Sequence, residues 1–370
     1  MTLRRSYKAT ATVVFPRIND FWESILSSLA SHDMMLRAEG ISFVSETPSG
    51  RSTLTPTADG LHLVVETNER AKLNRLKYDL TGPISFIAAS ENLIFDWHGD
   101  VTGPSYPEDL RLLRVAGITE LSRSMRRIHF KGNDLVRYDR PDQLHCRLIF
   151  QPKAVTEFIW PMLNDSGRVI WPGANKRPTR VYTIRRIDAP RGELDIDFAL
   201  HDAAGPATRW ARAASPGDIV GILGPAANGI QSAETYVLAG DETALPGIAR
   251  ILETLPPQAR GAACIEIDSF EDQLTLQHPQ GVAIHWLYRD GKPAGTASLL
   301  LGALQRFRWP EDLSQAFFWG GCEHKAFRTI HRFLSQEVGL PRERQTFYSH
   351  WHRSLSEEEI ITTGGSAYLP

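Results

Sequence analysis

A cation, an aromatic ring and a hydroxyl lie close together in the sequence at Arg180, Tyr182 and Thr183. On a β-strand, Arg180 and Tyr182 face one side, and Val181 and Thr183 face the other. An arginine fork can bind a diphosphate, a tyrosine can pack on a flat ring, and a threonine hydroxyl can hydrogen-bond a ring nitrogen. These are the contacts that a flavin dinucleotide requires. The alternative is an ordinary amphipathic strand whose arginine points to solvent.

A second candidate element lies at 201–210, where His201 precedes a turn and a predicted short helix. Gly205, Pro206 and Ala207 open that helix. The first N–H groups of a helix have no partner within it, so a phosphate binds readily there. The alternative is a plain turn and helix with Trp210 in the core.

Metal and thiol chemistry have weaker support. The histidines near the end of the chain form two pairs, His324 with His331 and His350 with His352. They belong to no HExxH motif and have neither a nearby carboxylate set nor a cysteine partner, so no metal is expected. Cys322 lies at a predicted helix start, where a thiolate is favoured, but a buried small residue is the better interpretation. The chain also lacks GxGxxG, which argues against an ordinary dinucleotide dehydrogenase.

Length and composition describe an ordinary globular protein. A chain of 370 residues is too long for one core and fits two or three domains. A formal charge of -2 provides no general field for nucleic acid or for a membrane surface. No stretch is apolar and long enough to span a bilayer, and no apolar run of a signal peptide follows the basic start.

The cysteines indicate the compartment. Cys146, Cys264 and Cys322 are far apart and form no CxxC pair. Neither a disulfide framework nor a cysteine zinc site is therefore expected, and free thiols suit a reducing environment. We expect a soluble protein of the cytoplasm.

The sequence divides into three blocks, at 1–110, 112–232 and 233–370. The first predicts a small α+β domain, followed by a Gly- and Pro-rich linker at 103–107. Its predicted elements are a strand at 7–15, a helix from Asn19 or Asp20 through Leu29, short strands at 41–44, 51–55 and 61–66, a helix at 68–79 and a last strand at 95–97.

The second block predicts an antiparallel β-barrel, because short β-type runs alternate with turn residues. The runs are 126–130, 144–150, 180–187 and 193–200, and one short helix is predicted over about 207–214. Apolar and polar residues alternate strictly over 194–198, which predicts a strand that is buried on one face only.

The third block predicts a parallel sheet with helices on both faces, because strands and helices alternate. The predicted strands are 235–239, 262–267, 282–288 and 315–319, and the predicted helices are 244–254, 297–306 and 323–338. Gly339 and Pro341 end the last helix. A barrel followed by such a sheet is typical of proteins that hold a flavin on the barrel and a second nucleotide at the carboxyl ends of the strands.

Five motifs, taken in their order along the chain, resemble those of the siderophore-interacting proteins, which are FAD-dependent ferric-siderophore reductases of the ferredoxin-reductase-like superfamily. The motifs are 125–128, 176–185, 197–210, 239–246 and 319–323, and the second of them includes Arg180-x-Tyr182-Thr183-x-Arg185. Together they cover about residues 115–355. The first block is similar to a small domain of unknown function that occurs alone or ahead of such reductases.

The resemblance implies roles for individual residues. Arg180 would bind the FAD diphosphate, Tyr182 would pack on the isoalloxazine ring, and Thr183 would hydrogen-bond near its reactive edge. The remaining cofactor-binding candidates are Arg185 beside the motif, His201, Gly205, Pro206 and Ala207 along the diphosphate and adenosine, and Asp241, Glu242 and Thr243 at the domain junction.

Two departures from the family pattern bear on the choice of nucleotide. Cys322 replaces a small residue, and His350-Trp351-His352-Arg353 replaces the usual Tyr-Trp-Arg-Arg.

The implied reaction passes electrons from NADH or NADPH through FAD to a ferric siderophore, with release of iron(II) in the cytoplasm. A flavin is needed because a hydride carries two electrons and iron(III) accepts one. Residues 120–200 contain 15 Lys and Arg against 10 Asp and Glu. Lys176, Arg177, Arg185 and Arg186 flank the flavin motif, and our hypothesis is that Lys176, Arg177 and Arg186 form a basic rim that attracts an anionic chelate. The alternative is an ordinary solvated surface.

The alternatives are a general flavin-linked reductase for another acceptor, and a non-catalytic siderophore-binding protein. A reduced ferredoxin is an alternative electron donor. The sequence leaves the siderophore, the choice between NADH and NADPH, the role of the first block and the oligomeric state open.

Overall fold

Two units make up the part of the chain that the computed structural model describes, which is residues 6–31, 34–153, 155, 157–173, 176–201, 205–355 and 359–360. The first unit contains the described residues up to Leu110, those of the excursion 154–177, and residues 359–360. The second unit contains 111–153 and the described residues of 178–357. The excursion therefore packs with the first unit, although in the chain it interrupts the predicted barrel.

The first unit is an α+β structure, as predicted. Its elements are β1 (Tyr7–Val14), α1 (Ile18–Ser31), β2 (Arg37–Glu39), β3 (Ser42–Thr47), β4 (Gly50–Thr57), β5 (Gly60–Thr67), α2 (Leu73–Ile87) and β6 (Trp97–Gly99). The strands form an antiparallel sheet in the order β2-β3-β4-β5-β1-β6. Ala11 on β1, Leu63 on β5 and Leu76 on α2 are buried in one shared core.

Strand β2 was not predicted, and the second helix and the last strand have other bounds than predicted. Helix α2 begins at Leu73, after a single 3-10 turn, and continues through Pro83 to Ile87. It continues because Leu80 and Ile84 prolong its buried apolar stripe. The last strand is Trp97–Gly99 instead of 95–97, because these residues pair with Ala9–Ala11 of β1.

The second unit begins with an antiparallel barrel. Its elements, together with a hairpin in the excursion (β10 and β11), are β7 (Arg111–Glu120), β8 (Met125–Gly132), β9 (Gln143–Phe150), β10 (Met162–Leu163), β11 (Val169–Ile170), β12 (Thr179–Thr183), β13 (Arg186–Asp188), β14 (Glu193–Ala199), α3 (Pro206–Ala213) and β15 (Ile219–Asn228). Strands β7, β10, β11 and β15 were absent from the prediction.

The barrel closes between β12 and β13. The strand order is β12-β9-β15-β7-β8-β14-β13, so these two strands are the opposite edges of the sheet. Only Ile184 and Arg185 separate them in the chain, a span of about 10 Å at most. The Ile184 N–H bonds to Leu144 on the β9 side, and the Arg185 N–H bonds to Asp195 on the β14 side. The prediction of one continuous strand over 180–187 is therefore wrong.

The prediction that 194–198 is buried on one face only is also wrong. Strand β14 is buried on both faces, with Asp195 and Asp197 8% and 3% exposed. The register places these aspartates opposite His129 and Arg127 of β8. Arg127 forms a two-point ion pair with Asp197 (2.6 and 2.8 Å), and His129 contacts Asp195 (2.8 Å). Alternation alone could not show that partners on the next strand allow the carboxylates to be buried.

The excursion is fastened to helix α2 and to the linker by polar contacts. Lys77 of α2 is 1% exposed, and its Nζ donates to the carbonyl of Asp165 (2.8 Å). The Asp165 carboxylate accepts from the backbone N–H groups of Thr102 and Gly103 (2.7 and 2.9 Å). Gly167 lies against the Lys77 backbone with φ +67°.

The rest of the second unit is a parallel sheet with helices on both faces, as predicted. Its elements are β16 (Thr235–Gly240), α4 (Leu245–Thr254), β17 (Arg260–Ile267), β18 (Val282–Tyr288), α5 (Leu299–Arg306), β19 (Ala316–Glu323), α6 (His324–Arg332) and β20 (Gln345–Trp351). The strand order is β18-β17-β16-β19-β20. Helix α4 shares one core with the sheet, and α5 and α6 share the other. The edge strand β20 was not predicted.

The contact between Gly167 and α2 predicts a large effect of a single methyl group. A Cβ at Gly167 would lie 2.6 Å from three atoms of Lys77 and Tyr78, whereas a Cβ at Gly173 would meet nothing within 4 Å among the described residues. Both glycines have positive φ, so Gly173→Ala is a matched control for backbone strain. We expect Gly167→Ala to lower the unfolding free energy by about 2 kcal/mol more than Gly173→Ala, measured by chemical denaturation. Equal losses would contradict this packing.

Candidate functional site

Strand β12 presents the predicted flavin residues in register with β9. Arg180 pairs with Leu148, Tyr182 with Cys146, and Thr183 with His145. Arg180 and Tyr182 are half-buried, and Thr183 is 4% exposed. Because directly opposed residues share a face of a sheet, Thr183 and His145 point to the same side.

The ring of Tyr182 lies against barrel aromatics. Its centroid is 4.4 Å from that of Phe198 and 6.5 Å from that of Phe150, which meets it edge-on. These contacts fix the plane of the tyrosine ring, which suits a side chain that must support a second flat ring.

Gly205, Pro206 and Ala207 form the start of helix α3, as predicted. Gly205 is the N-cap residue and has no side chain to cap the first N–H groups. A Cβ built on Gly205 would meet no atom within 4 Å among the described residues. The His201 Nε2 contacts the Thr208 hydroxyl (3.3 Å), which brings His201 to the same helix.

At the carboxyl end of β16, Asp241 organises the ends of three parallel strands. Its side chain is almost fully buried, and its Oδ1 accepts from the N–H and hydroxyl of Thr243 (2.9 and 2.5 Å). Its Oδ2 accepts from the Glu323 N–H at the end of β19 (3.2 Å) and from Trp351 Nε1 at the end of β20 (2.8 Å).

Glu242 belongs to a buried ion cluster at the same edge. Arg289, which follows β18, donates to both carboxylate oxygens of Glu242 and lies 3.4 Å from the Glu266 carboxylate on β17. Burial, with the nearby charges of Asp241 and Glu242, raises the pKa of Glu266 to about 7. Burial also raises the pKa of Glu242.

Thr243 connects this edge to two histidines. Its Oγ1 lies 3.1 Å from Nδ1 of His350 on β20. The ring of His350 meets that of His145 edge-on, with centroids 5.4 Å apart. His145 also contacts Trp319 and Tyr348. The strand that carries Thr183 therefore meets the carboxyl end of the parallel sheet through His145.

His145 is 4% exposed, and His350 is half-buried with its Nε2 shielded from solvent. Burial lowers the pKa of His145 to about 3, with a further contribution from His350 and Arg250, and burial lowers the pKa of His350. Across the described ranges, neither Nε2 has a hydrogen-bond partner.

The remaining basic candidates occupy different environments. Arg185 is mostly buried and donates to the Glu253 carboxylate of α4 (2.9 and 2.5 Å), so its charge is already paired within the protein. Arg186 is exposed on β13. Lys176 is exposed and Arg177 half-buried, and both belong to the excursion that packs with the first unit.

The cysteines are the next candidates for chemistry, together with groups of side chains that could bind a metal ion. Cys146, Cys264 and Cys322 are free and buried, and burial raises the pKa of all three, that of Cys264 to about 11. The position of Cys322 agrees with its interpretation as a buried small residue. Within the described ranges, no group of three or more His, Cys, Asp or Glu could hold a metal ion.

None of the helices formed by the described residues combines the length and the apolar character needed to cross a bilayer.

Several site residues could not be found from the sequence. His145, Glu266 and Arg289 come from three different strands or strand ends, and only the observed pairing brings them to the site. For a fourth residue of the site, His350, the sequence did contain a signal: the family pattern has Tyr at this position, and the resemblance had marked the change to His as a departure.

The residues on the barrel fit FAD. The Arg180 guanidinium and the first N–H groups of helix α3 supply donors for a diphosphate, Tyr182 supplies an aromatic surface, and Thr183 supplies a hydroxyl. The buried Nε2 of His145, on the same face as Thr183, is a further polar atom that a ligand could satisfy. This barrel, next to the carboxyl ends of a parallel sheet, defines the class: an FAD-dependent oxidoreductase that uses a nicotinamide nucleotide.

Comparison with known proteins establishes the family. Residues 114–229 match the model of the siderophore-interacting FAD-binding domain, and residues 233–354 match the model of the siderophore-interacting protein. The chain belongs to the siderophore-interacting protein family. The predicted resemblance, the fold class and the use of FAD with NADH or NADPH are thereby confirmed.

Two relatives each match about two thirds of the chain. The NADPH-dependent ferric-chelate reductase of Escherichia coli is 30% identical over 266 residues, which are 67% of this chain and 98% of that protein. The ferric vibriobactin reductase ViuB of Vibrio cholerae is 29% identical over 250 residues, or 67% of this chain and 91% of that protein.

Solved structures agree. The siderophore utilization protein from T. fusca is 33% identical, with a TM-score of 0.58 over 70% of this chain and 96% of that one. SipS, the siderophore-interacting protein from Aeromonas hydrophila, is 29% identical, with a TM-score of 0.57 over 70% of this chain and 98% of that one.

The buried state of His145 predicts a pH-dependent stability. Because its pKa is about 3 in the folded chain and about 6.5 when unfolded, the unfolded chain binds the extra proton between these values. Its contribution is complete above pH 6.5 and is lost as the pH falls, by about 1.4 kcal/mol per pH unit. Unfolding free energies from pH 7 to pH 5 should fall less steeply in His145→Phe than in the wild type. The exposed His278→Phe should keep the wild-type slope, and parallel curves for His145→Phe and the wild type would contradict the assignment.

Proposed function

We propose that this oxidoreductase passes electrons from NADH or NADPH, through FAD held on the barrel, to iron(III) in a siderophore, and that iron(II) is released in the cytoplasm. The names of the ferric vibriobactin reductase and the ferric-chelate reductase support the substrate. The three free cysteines support a reducing compartment. A reduced ferredoxin is the alternative donor.

The observation that carries the proposal is the route from Thr183 to the sheet edge. Thr183 is paired with His145, and His145 contacts His350 at the end of β20. A flavin held by β12 would therefore present its reactive edge to the carboxyl ends of the parallel strands, where a second nucleotide binds in open α/β sheets.

The residues would divide the work of holding FAD. Arg180 and the start of α3 at Gly205, Pro206 and Ala207 would bind the diphosphate, with His201 beside them. Tyr182 would support the isoalloxazine ring and Thr183 would hydrogen-bond its reactive edge. When bound, FAD accepts two electrons as a hydride and releases them singly.

Other predicted residues would act less directly. Arg185 would position the turn between β12 and β13 through its ion pair with Glu253. Asp241 and Thr243 would hold the sheet edge at the nicotinamide, and Glu242 would hold Arg289 there.

The domain assignment follows from these roles. Residues 112–232 would be the FAD-binding domain and 233–370 the nucleotide-binding domain, with 1–110 as a separate small domain.

The iron of the substrate would need no protein ligand, because the siderophore brings its own hard oxygen ligands and iron(II) binds them more weakly. The protein would need only an accessible flavin edge and a rim that attracts the chelate.

Two anaerobic half-reactions test the function. FAD-loaded protein is mixed first with NADH or NADPH, and the flavin absorption is followed until it bleaches. Ferric siderophores, simple ferric chelates and a quinone are then mixed with the reduced protein. We expect the ferric siderophores to reoxidise the reduced flavin faster than the simple chelates or the quinone do, and we expect a chelator of iron(II) to trap the product. Reoxidation by the quinone alone would assign another acceptor, and protein that does not bind FAD would be a binding protein only.

Removal of the Arg180 guanidinium should weaken FAD binding. A hydrogen-bonded charge contributes about 1.5–3 kcal/mol, so Arg180→Ala should raise the FAD dissociation constant on the order of 10- to 100-fold. Arg191→Ala is the matched control, because Arg191 is an exposed arginine elsewhere on the barrel. Titration of the apoprotein with FAD measures both, and equal dissociation constants would remove Arg180 from the cofactor site.

The basic rim should attract the chelate through long-range charge. Charge reversal at Lys176 and Arg177 should raise the KM for an anionic ferric siderophore, and the increase should shrink at high salt. Reversal of the exposed Lys131 and Arg191 changes the net charge equally and serves as the control. An unchanged KM would exclude Lys176 and Arg177 from the rim.

A further inference from the structure

The hydrogen bonds around Thr243 determine which nitrogen of His350 carries the proton. The ionised Asp241 carboxylate can only accept hydrogen bonds, so the Thr243 hydroxyl is the donor in the hydrogen bond between them (2.5 Å). The threonine oxygen is then the acceptor for His350, whose Nδ1 lies 3.1 Å away and must carry the hydrogen. In a neutral imidazole this leaves Nε2 as a bare acceptor.

That acceptor is buried and lacks a partner. In the described chain, no donor reaches the Nε2 of His350 or the Nε2 of His145. His145 itself is 4% exposed. Buried polar atoms without partners are uncommon in native proteins and call for an explanation such as a missing ligand.

The packing beneath His350 indicates that the ring is held in place. A Cβ at Gly321 would lie 2.3–2.7 Å from three atoms of the imidazole, so the ring rests directly on the backbone of β19. The backbone at Gly321 has no positive φ that would require glycine. The glycine therefore serves to make room for the imidazole.

The location and the chemistry together select the ligand. His350 is next to the last residue of β20, and Thr243 follows β16, so both lie at the carboxyl edge that receives nucleotides in open α/β sheets. A primary amide offers N–H donors and a carbonyl acceptor at one end of a planar group. The Nε2 of His350 is a fixed acceptor, and the imidazole of His145 can take the tautomer in which its Nε2 donates. Together the two rings complement such a group.

We propose that His350 Nε2 accepts a hydrogen bond from the carboxamide NH2 of the nicotinamide ring, and that His145 Nε2–H donates to the carboxamide oxygen. This inference rests on the proposed function and makes the two histidines nucleotide-binding residues. Burial lowers both pKa values, which disfavours a positive charge on either imidazole beside the oxidised nicotinamide.

The 3-acetylpyridine analogue of the nucleotide tests the proposal, because it keeps the carbonyl and replaces NH2 by methyl. Oxidised nucleotide and analogue are titrated into FAD-loaded protein by calorimetry, which measures binding without turnover. The wild type should bind the amide about three- to tenfold more tightly than the analogue, as one neutral hydrogen bond contributes. His350→Phe should remove this preference, and His350→Gln, which retains an acceptor, should restore part of it.

Two further variants separate the roles of the rings. His145→Phe should weaken the amide and the acetyl compound equally, because both contain the carbonyl. Gly321→Ala should displace the imidazole of His350 without removing it and should also reduce the preference. His278→Phe, an exposed histidine before β18, should behave as the wild type.

The outcomes distinguish this inference from the function beneath it. Protein that is reduced by the nucleotide but binds amide and analogue equally overturns the inference alone, as does a His350→Phe variant that keeps the preference. A shifted flavin potential in His350→Phe with equal binding would assign the nitrogen to the flavin and would also overturn it. Protein that binds no nicotinamide nucleotide would overturn the proposed function itself.

Discussion

The carboxylate of Asp241 accepts four hydrogen bonds from three elements, and the geometry of the site depends on them. Burial of a charged carboxylate is costly unless its lone pairs are satisfied. Here Thr243, Glu323 and Trp351 satisfy them, so the ends of β16, β19 and β20 are held in one arrangement. That arrangement orients Thr243, which in turn orients His350.

The second requirement is that the barrel and the parallel sheet meet in a fixed way. Helix α4 provides this contact through Arg250, which donates to the carbonyls of Ile184 and Arg140 (both 2.8 Å), and through the ion pair of Glu253 with Arg185. These contacts of Arg250 and Glu253 hold Ile184 and Arg185, the two residues that connect β12 to β13 where the barrel closes. The strand that carries Arg180 and Thr183 is thus tied to the helix that begins beside Asp241.

Most of the fold was predictable because hydrophobic period and turn residues act locally. Strands β16 and β17 and helix α4 follow directly from their apolar runs. The pairing of strands is not local, and the two wrong predictions in the barrel both depend on it. Asp195 and Asp197 are buried because they have partners on β8. The predicted strand at 180–187 is interrupted because its two halves form opposite edges of the barrel sheet. The same limit hid His145, whose role depends on its register with Thr183.

A crystal structure of the FAD-loaded protein would test the central claim most directly. The account predicts the diphosphate within hydrogen-bond distance of the Arg180 guanidinium and the reactive edge of the isoalloxazine beside Thr183 Oγ1, facing His145 and the end of β20. A flavin bound elsewhere on the chain, or one whose reactive edge points away from the parallel sheet, would contradict it.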